Sequence, residues 1–151
     1  MRVVAQRVSQ ATVRVEGEVT GTIEAGLLVF LGVDRDDDDK DLEWMVGKVI
    51  GLRVFEDEEG RMNRSVREID GGILVISQFT LFGNLRKGTR PSFNRAADPT
   101  VAENTYELFL DKLGGELGRQ PQAGRFGADM KIEALNDGPV TIVIDSKDKR
   151  F

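Results

Sequence analysis

Hydrophobic and polar residues alternate along residues 2–23, the pattern of a β-strand that buries one of its two faces. The alternation is interrupted at Glu16-Gly17, where the chain is suited to a tight turn, so two or three antiparallel strands are predicted. Two almost continuous apolar runs follow, at 26–33 and 71–83. Both predict buried strands, and the second predicts the strongest strand of the chain.

A helical period, with apolar residues three and four positions apart, follows the acidic run 34–41. It predicts an amphipathic helix capped by Asp38 or Asp39, because a short acidic side chain accepts hydrogen bonds from the first N–H groups of a helix. We prefer this role to a metal site, since the run lacks the alternating ligands and central glycine of a calcium loop. The apolar positions of the helix are Leu42, Met45, Val46, Val49 and Ile50.

A second amphipathic helix is predicted near residue 100. Asp98 can cap it, Pro99 suits its first position, and Thr100 with Glu103 fits a capping box. The glycine pair 114–115 predicts its end. Its apolar face comprises Val101, Ala102, Tyr106, Phe109, Leu110 and Leu113.

The last part of the chain predicts a closing hairpin with strands at 129–135 and 139–145, joined by an Asn-Asp-Gly turn. Pro139 is unusual there, because proline has no N–H to donate to a neighbouring strand. The order of these elements predicts an α+β fold, with two helices packed on a mostly antiparallel sheet or split β-barrel. We expect a single domain over residues 1–151.

Composition limits the chemistry that is available. With 40% hydrophobic and 31% charged residues, the chain has the balance of a soluble globular protein. No apolar run approaches the ~18 residues of a membrane span and no signal peptide is evident, so we expect a cytoplasmic protein without a membrane partner. The sequence has no Cys and no His. This excludes thiol nucleophiles and His-based triads and removes the commonest metal ligand, and we predict no metal and no cofactor.

Charge is distributed unevenly along the chain. The net charge of −5 argues against indiscriminate nucleic-acid binding, and we expect no DNA partner. Segment 84–95 nevertheless holds four basic residues and no acidic residue. Arg86, Lys87 and Arg90 are suited to contacting an RNA backbone, and Phe93 is suited to stacking on a base. The alternative is a solvated surface loop.

Three polar side chains, those of Ser77, Gln78 and Thr80, interrupt the second apolar run. Their position at a strand end, just before the basic segment, indicates a functional site, although hydroxyls paired with neighbouring strands are the ordinary alternative. A nucleophilic Thr80 needs a base, and none lies near it in sequence. Alternatively, the N–H groups of Phe79 and Thr80 form an oxyanion site and the substrate supplies its own proton acceptor.

Two other segments contain candidate residues. In "GRFGADM" (124–130), Phe126 lies between two glycines that permit close approach to a ligand, and Met130 offers an adaptable apolar wall. The alternative is a connector with one buried anchor. Arg7, on the first strand, either faces solvent or binds carbonyl oxygens that a kinked backbone leaves unpaired.

Together these segments resemble those of one family. "SQFTL" and "NDGPVT" resemble the two signature motifs of the D-aminoacyl-tRNA deacylases, and "QRVSQATV", "KGTRPSF" and "GRFGADM" extend the resemblance over the chain. The resemblance implies hydrolysis of the ester between a D-amino acid and the 3′-terminal adenosine of tRNA, and activity on glycyl-tRNA(Ala). It also implies that the protein is a homodimer with active sites at the interface, which bind the acceptor end of aminoacyl-tRNA.

The resemblance also implies roles for individual residues. Gly138-Pro139 is expected to be cis and to reach into the partner subunit's site, where its carbonyls bind the substrate α-amino group and leave no room for an L side chain. Arg7 is expected to support that peptide. The strand lining the site comprises Ser77, Gln78, Phe79 and Thr80, and the further substrate-binding positions are Asn136, Thr141, Phe126, Met130 and Phe93.

We favour substrate-assisted hydrolysis over an acyl-enzyme on Thr80, because the 2′-OH of the terminal ribose can help to activate water or polarise the ester. Two other classes stay open. A non-enzymatic dimeric tRNA-binding module explains the basic segment and Phe93, but not the polar strand end. An amidase or peptidase with a Thr nucleophile lacks an evident base.

Overall fold

A computed structural model describes residues 1–150. Within those residues the chain forms eight β-strands, two α-helices and one short 3₁₀ turn. The strands are β1 (Arg2–Val15), β2 (Glu18–Ile23), β3 (Gly26–Gly32), β4 (Phe55–Glu56), β5 (Met62–Arg64), β6 (Gly72–Ser77), β7 (Gln122–Ala123) and β8 (Met130–Asp145). The helices are α1 (Asp39–Gly51) and α2 (Pro99–Leu117), and the 3₁₀ turn is Phe79–Phe82.

The main sheet is mixed but mostly antiparallel. β1 pairs antiparallel with β2 and β3 along one edge and with β8 along the other. β6 lies parallel to both β3 and β7. β2 approaches β7 so closely that a Cβ at Gly21 would lie 2.8 Å from the Ala123 carbonyl oxygen, and the sheet is nearly closed into a barrel. The predicted α+β fold, with two helices packed on a split barrel, is confirmed.

Helix α1 forms as predicted. Its cap is Asp38, whose carboxylate accepts hydrogen bonds from the N–H groups of Lys40 and Asp41. The Asp41 carboxylate accepts in return from the Asp38 N–H at 3.0 Å, which completes a capping box. The predicted apolar positions are all buried, so this face of the helix contributes to the main core.

Helix α2 begins as predicted but ends later. Asp98 occupies the N-cap position and Pro99 the first turn, as predicted, but Asp98 makes no side-chain capping bond. Thr100 lies inside the helix, so the predicted capping box is wrong. The helix continues past Gly114 and ends at Gly118, whose φ of +78° is left-handed. Gly114 is instead a packing position, because a Cβ there would lie 3.1 Å from the Gln120 side chain.

Apolar clusters lie on both faces of the sheet. The two helices cover one face, where Met45, Tyr106 and Phe109 are almost completely buried. A smaller cluster around Leu28 and Leu74 lies on the other face. In the part of the chain that the structure describes, no helix is both long enough and apolar enough to span a bilayer.

The second apolar run forms a shorter strand than predicted. β6 ends at Ser77, which pairs with Leu31 of β3, and the Gln78 N–H still donates to the Leu31 carbonyl at 2.7 Å. β3 ends one residue after Leu31, so the following backbone has no strand to pair with and folds into the 3₁₀ turn. The prediction of one strand over 71–83 is therefore wrong at its carboxyl end.

The predicted closing hairpin is also wrong. β8 is one strand whose two arms both pair antiparallel with β1, so the chain does not reverse. The register passes from Asn136 opposite Val8 to Thr141 opposite Gln6. Residues 137–140 lie outside this ladder and form a bulge, called the β8 bulge below.

Candidate active site

A cavity of about 580 Å³ opens at the carboxyl ends of the parallel strands β3 and β6. Its size is that of a small-molecule site. The predicted site residues that line it are Ser77, Gln78, Phe79, Phe93, Phe126 and Met130. Other wall residues, which the sequence did not indicate as functional, come from α2 and the segment before it: Ala96, Ala97, Pro99, Ala102 and Tyr106.

The 3₁₀ turn presents two unbonded backbone donors, one on Phe79, which lines the cavity, and one on Thr80, the next residue, which is not among the lining residues. Neither the Phe79 N–H nor the Thr80 N–H has a hydrogen-bond acceptor within residues 1–150. The reason is geometric, since the first N–H groups of a helical turn have no partner inside it. The Thr80 hydroxyl accepts a hydrogen bond from Gln78 Nε2, and within the described chain no carboxylate or amine bonds to it. A general base is therefore not placed beside this hydroxyl.

Two aromatic rings form one edge of the cavity. Phe79 and Phe93 meet edge to face, with their ring centroids 5.1 Å apart. Phe79 is 58% exposed, although it is large and apolar. An exposed ring beside an apolar cavity is suited to stacking on a nucleobase.

The floor of the cavity depends on Tyr106. Its hydroxyl donates to the Val75 carbonyl at 2.9 Å, and its ring lies 5.9 Å from that of Phe126. Burial raises the pKa of Tyr106, so the hydroxyl stays protonated and remains a donor. Tyr106 is the only tyrosine of the chain, and its place on the apolar face of α2 was the signal that a buried hydroxyl would need a partner.

The β8 bulge exposes Gly138 and Pro139, and their peptide bond is cis, as the resemblance implied. Gly138 has a φ of +140°, and a Cβ there would lie 2.7 Å from the Val140 side chain. Asn136 closes the bulge, because its Oδ1 accepts from the Val140 N–H at 3.1 Å. Its Nδ2 lies 3.4 Å from the Thr141 hydroxyl. Because of the positive φ at position 138 and the close approach of Val140, the shape of the bulge depends on glycine at this position.

Arg7 supports the bulge from inside the protein. It is 7% exposed, and its Nε donates to the Asp137 carbonyl at 2.9 Å. Its Nη1 donates to the Val54 carbonyl at 2.7 Å. The prediction that Arg7 binds carbonyl oxygens of a kinked backbone is confirmed. The bond to Val54 was not predicted, because nothing in the local sequence connects that loop with β1.

The bulge and the cavity are separate within one subunit. Met130 and Ile132 of β8 line the cavity, but Gly138 lies six residues after Ile132, about 20 Å further along the same strand. The bulge lies opposite Arg7, which is level with Leu27 on β3 and Ile73 on β6, and Ile73 precedes Ser77 by four residues, about 13 Å along the strand. The structure therefore does not bring the two signature motifs together in a single copy of the chain.

The basic segment forms a narrow loop. At its base, the Asn84 N–H donates to the Ser92 carbonyl at 2.8 Å, and the Ser92 N–H donates to the Asn84 carbonyl at 3.1 Å. Arg86, Lys87 and Arg90 lie between these residues and are all exposed. Since no acidic residue lies in this loop, it presents three cations to solvent.

Comparison with known proteins identifies the family. A family model described as D-Tyr-tRNA(Tyr) deacylase matches residues 4–145. The chain belongs to the D-Tyr-tRNA(Tyr) deacylase family. Both signature motifs lie inside the matched residues, so the resemblance that they carried is confirmed.

Known proteins also match the chain along nearly all of its length. The D-aminoacyl-tRNA deacylase of Opitutus terrae is 60% identical over 97% of each chain. That of Flavobacterium johnsoniae is 52% identical over 99% of each. A solved structure described as "c-Myc DNA Unwinding Element Binding Protein" has a TM-score of 0.92 at 42% identity, over 96% of this chain and 98% of that one. A second, of a probable eukaryotic D-amino acid tRNA deacylase, shares the fold, with a TM-score of 0.80 at 20% identity over 95% and 97%.

Proposed function

We propose that this chain hydrolyses the ester bond between a D-amino acid and the 3′-terminal adenosine of tRNA. The observation that carries the proposal is the pair of unbonded N–H groups of Phe79 and Thr80 beside an apolar cavity. The names of the full-length relatives point to the same substrate. An aminoacyl ester is already activated, so a protein without His or Cys can hydrolyse it by orienting it and stabilising the developing charge.

In the proposed reaction, a water molecule attacks the carbonyl carbon of the ester. The carbonyl oxygen takes up negative charge and accepts hydrogen bonds from the Phe79 and Thr80 N–H groups. The 2′-OH of the terminal ribose relays the water proton to the 3′-oxygen. The bond between the carbonyl carbon and the 3′-oxygen then breaks, leaving the free amino acid and a tRNA 3′-hydroxyl. A side-chain base is not required, which agrees with the surroundings of Thr80.

The cavity is the proposed binding site of the terminal adenosine. Its apolar walls, which include Phe126 and Met130, suit the faces of a nucleoside, and Phe79 and Phe93 suit stacking on the base. Ser77 and Gln78 are polar lining residues of the cavity, and their side chains are suited to binding the ribose hydroxyls.

Two substitutions at Thr80 separate a backbone role from a side-chain role. Thr80→Val should keep most of the turnover, because valine retains the N–H and the shape and loses only the hydroxyl. Thr80→Pro should lower kcat about 100-fold, since proline has no N–H. Single-turnover hydrolysis of D-tyrosyl-tRNA measures both variants. A Thr80→Val protein as inactive as the proline variant, or an acyl group trapped on Thr80, would show that the hydroxyl is a nucleophile instead.

The proposed sensor of chirality is the β8 bulge of a second subunit. The exposed carbonyl oxygens of Gly138 and Pro139 suit an α-ammonium group, and a bulge at that position would collide with an L side chain. Each bulge lies about 20 Å along β8 from the part of that strand that lines its own cavity, which supports a bulge supplied by a partner subunit. Among the described strands, β8 has a free outer edge, along which Leu135 and Val143 are 58% and 38% exposed. Covering such an edge favours a homodimer with active sites at the interface.

Mixing of two inactive variants tests this shared site. One is defective in the turn (Thr80→Pro) and the other in the bulge (Gly138→Ala). After exchange of subunits in equal amounts, half of the dimers are mixed, and each mixed dimer has one intact site of two. We therefore expect about one quarter of wild-type activity to return. Activity that stays at the sum of the two variants would contradict a cross-subunit role.

Glycyl-tRNA(Ala) is a second proposed substrate. Glycine has no side chain, so a bulge that excludes L side chains does not exclude it. Aminoacyl-tRNAs are consumed by translation in the cytoplasm, where we place the enzyme. The proposed reaction uses no metal and no cofactor.

One assay distinguishes the proposed function from its alternatives. Purified protein is incubated separately with D-tyrosyl-tRNA, L-tyrosyl-tRNA and the methyl ester of D-tyrosine. Loss of D-tyrosyl-tRNA alone is expected, because the methyl ester lacks the adenosine and the bulge excludes the L substrate. Equal loss of the methyl ester would indicate a general hydrolase. Binding of tRNA without any hydrolysis would indicate a non-enzymatic tRNA-binding module.

The exposed basic loop is proposed to contact the tRNA backbone. Replacing Arg86, Lys87 and Arg90 with Gln should weaken tRNA binding, measured by filter binding at several salt concentrations. The slope of log K against log salt should fall by about 2, because each phosphate contact to a single strand contributes ~0.7. Unchanged binding would remove the loop from the tRNA interface.

A triple variant with the same charge change controls for net charge. Arg61, Arg67 and Lys112 are each at least 44% exposed, and each pairs with a glutamate outside the basic loop. Their replacement with Gln should leave the salt slope unchanged. Duplex DNA is not a proposed partner, since the net charge of the chain is −5.

A further inference from the structure

The 3₁₀ turn is held at its far end by a buried aromatic ring. Phe82 is 4% exposed, and a Cβ at Gly32 would lie 3.0 Å from its ring. Two guanidinium groups also lie over this ring, that of Arg2 at 5.1 Å and that of Arg95 at 5.6 Å from its centroid. Cation–π contacts of this kind favour one position of the ring, and therefore of the backbone that carries it.

Arg2 also binds the backbone of the turn. Its Nη1 donates to the Leu81 carbonyl at 2.7 Å, one residue after Thr80. Its Nε and Nη2 donate to the same carboxylate oxygen of Asp145, at 2.9 and 2.7 Å. One side chain therefore connects the turn with the carboxyl end of β8.

Asp145 is in turn fixed in place. Its other carboxylate oxygen, Oδ1, accepts from the backbone N–H groups of Lys147 at 2.9 Å and Asp148 at 3.2 Å. Burial acts to raise the pKa of Asp145, but the hydrogen bonds from Arg2 and from these N–H groups outweigh it and lower the pKa. The carboxylate is thus charged and can hold the guanidinium in a single orientation.

We propose that Arg2 is a positioning residue of the active site, which holds the 3₁₀ turn so that the Phe79 and Thr80 N–H groups point at the reacting carbonyl. The inference deepens the proposed function and rests on it for its catalytic consequence. Without Arg2, the Leu81 carbonyl loses its partner and Phe82 loses one of its two cationic contacts. A displacement of the turn by about 1 Å is enough to misplace oxyanion donors and slow the reaction strongly.

Arg2→Gln and Arg2→Lys are the variants that test this role. Both should lower kcat for D-tyrosyl-tRNA by about 10- to 100-fold and leave KM within about twofold, because substrate binding is retained and orientation is lost. Lysine should not restore the activity, since a single ammonium cannot bind the Leu81 carbonyl and Asp145 in the geometry of the guanidinium fork. Arg61→Gln, a change at an exposed arginine paired with Glu59, is the control and should behave as wild type.

Asp145→Asn extends the test without removing the arginine. The asparagine oxygen can still accept from the Lys147 and Asp148 N–H groups, so only the side facing Arg2 is altered. The double variant Arg2→Gln, Asp145→Asn should have the same kcat as Arg2→Gln alone, because both changes break the same connection. Additive losses in the double variant would contradict a role of Asp145 through Arg2.

An amide NMR spectrum gives a readout that does not depend on catalysis. In Arg2→Gln and Asp145→Asn, the Phe79 and Thr80 N–H resonances should shift or broaden, while those of α1 and α2 stay in place. A wild-type protein without deacylase activity would defeat the proposed function, but the moved resonances would still show that Arg2 positions the turn. Unmoved resonances, an unchanged kcat in Arg2→Gln, or full activity in Arg2→Lys would overturn the inference.

Discussion

Replacing Gly138 with Ala lowers the turnover of D-tyrosyl-tRNA by about 100-fold and narrows the preference for D over L substrates. The new Cβ would lie 2.7 Å from the Val140 side chain and 2.8 Å from the Val140 nitrogen, so the bulge must move. The φ of +140° at this position also disfavours any L side chain. Because the substrate α-ammonium is proposed to meet the exposed carbonyls here, their displacement removes both the attraction for the D substrate and the barrier to the L substrate.

The measurement is kcat/KM for D-tyrosyl-tRNA and L-tyrosyl-tRNA with the same preparation. Gly60→Ala is a matched control, since Gly60 also has a positive φ, of +74°, but an added Cβ there meets nothing within 4 Å. Gly60→Ala should likewise impose a side chain on a positive φ, but it should leave the ratio of kcat/KM for D-tyrosyl-tRNA to that for L-tyrosyl-tRNA unchanged. Changing both Gly138 and Pro139 to Ala should lower this ratio at least as much as Gly138→Ala alone does. Discrimination that survives this double change would exclude the bulge as the sensor of chirality.

Replacing Arg7 with Met lowers the free energy of unfolding by about 3 kcal/mol, because it leaves the buried Val54 carbonyl and the partly buried Asp137 carbonyl without their charged donor. Met has a similar length, so the loss comes from the bonds to the Asp137 and Val54 carbonyls and not from a cavity. Activity should fall as well, since the bulge loses its internal support.

Urea unfolding measures the first effect and kcat/KM for D-tyrosyl-tRNA measures the second. Arg14→Met, on the same strand and half-buried, is the control, and its effect should stay within about 0.5 kcal/mol. A stable Arg7→Met protein with wild-type activity would show that Asn136 and the β1 ladder suffice to hold the bulge.

The periodicity of the sequence predicted most of the elements and one turn correctly. The turn at Glu16-Gly17 and the helix with its cap at Asp38 form as expected, because local signals and tertiary packing agree there. The closing hairpin does not form, because the Asn-Asp-Gly signal is local, whereas pairing of both arms with β1 is tertiary. The strand over 71–83 ends early for a related reason, since its length is set by where β3 stops.

Only part of the candidate site could be predicted from the sequence. Each of the second apolar run and "GRFGADM" was a candidate segment on its own, and the structure brings residues of both into one cavity. Tyr106 and Val54 could not be assigned, because their roles depend on contacts between distant segments. The separation of the β8 bulge from the cavity could not be predicted either, because it depends on the pairing and register of the strands.

The continuity of β8 on both sides of its bulge makes the proposed sensor of chirality structurally independent of the rest of the sheet. Independent ladders to β1 fix the chain on both sides of residues 137–140, so the register on each side does not depend on what lies between them. The length or composition of this segment can therefore change while the rest of the sheet stays in place, at a cost limited to closing a slightly different loop. Mutations can therefore alter the proposed sensor of chirality without requiring compensating changes in the rest of the fold.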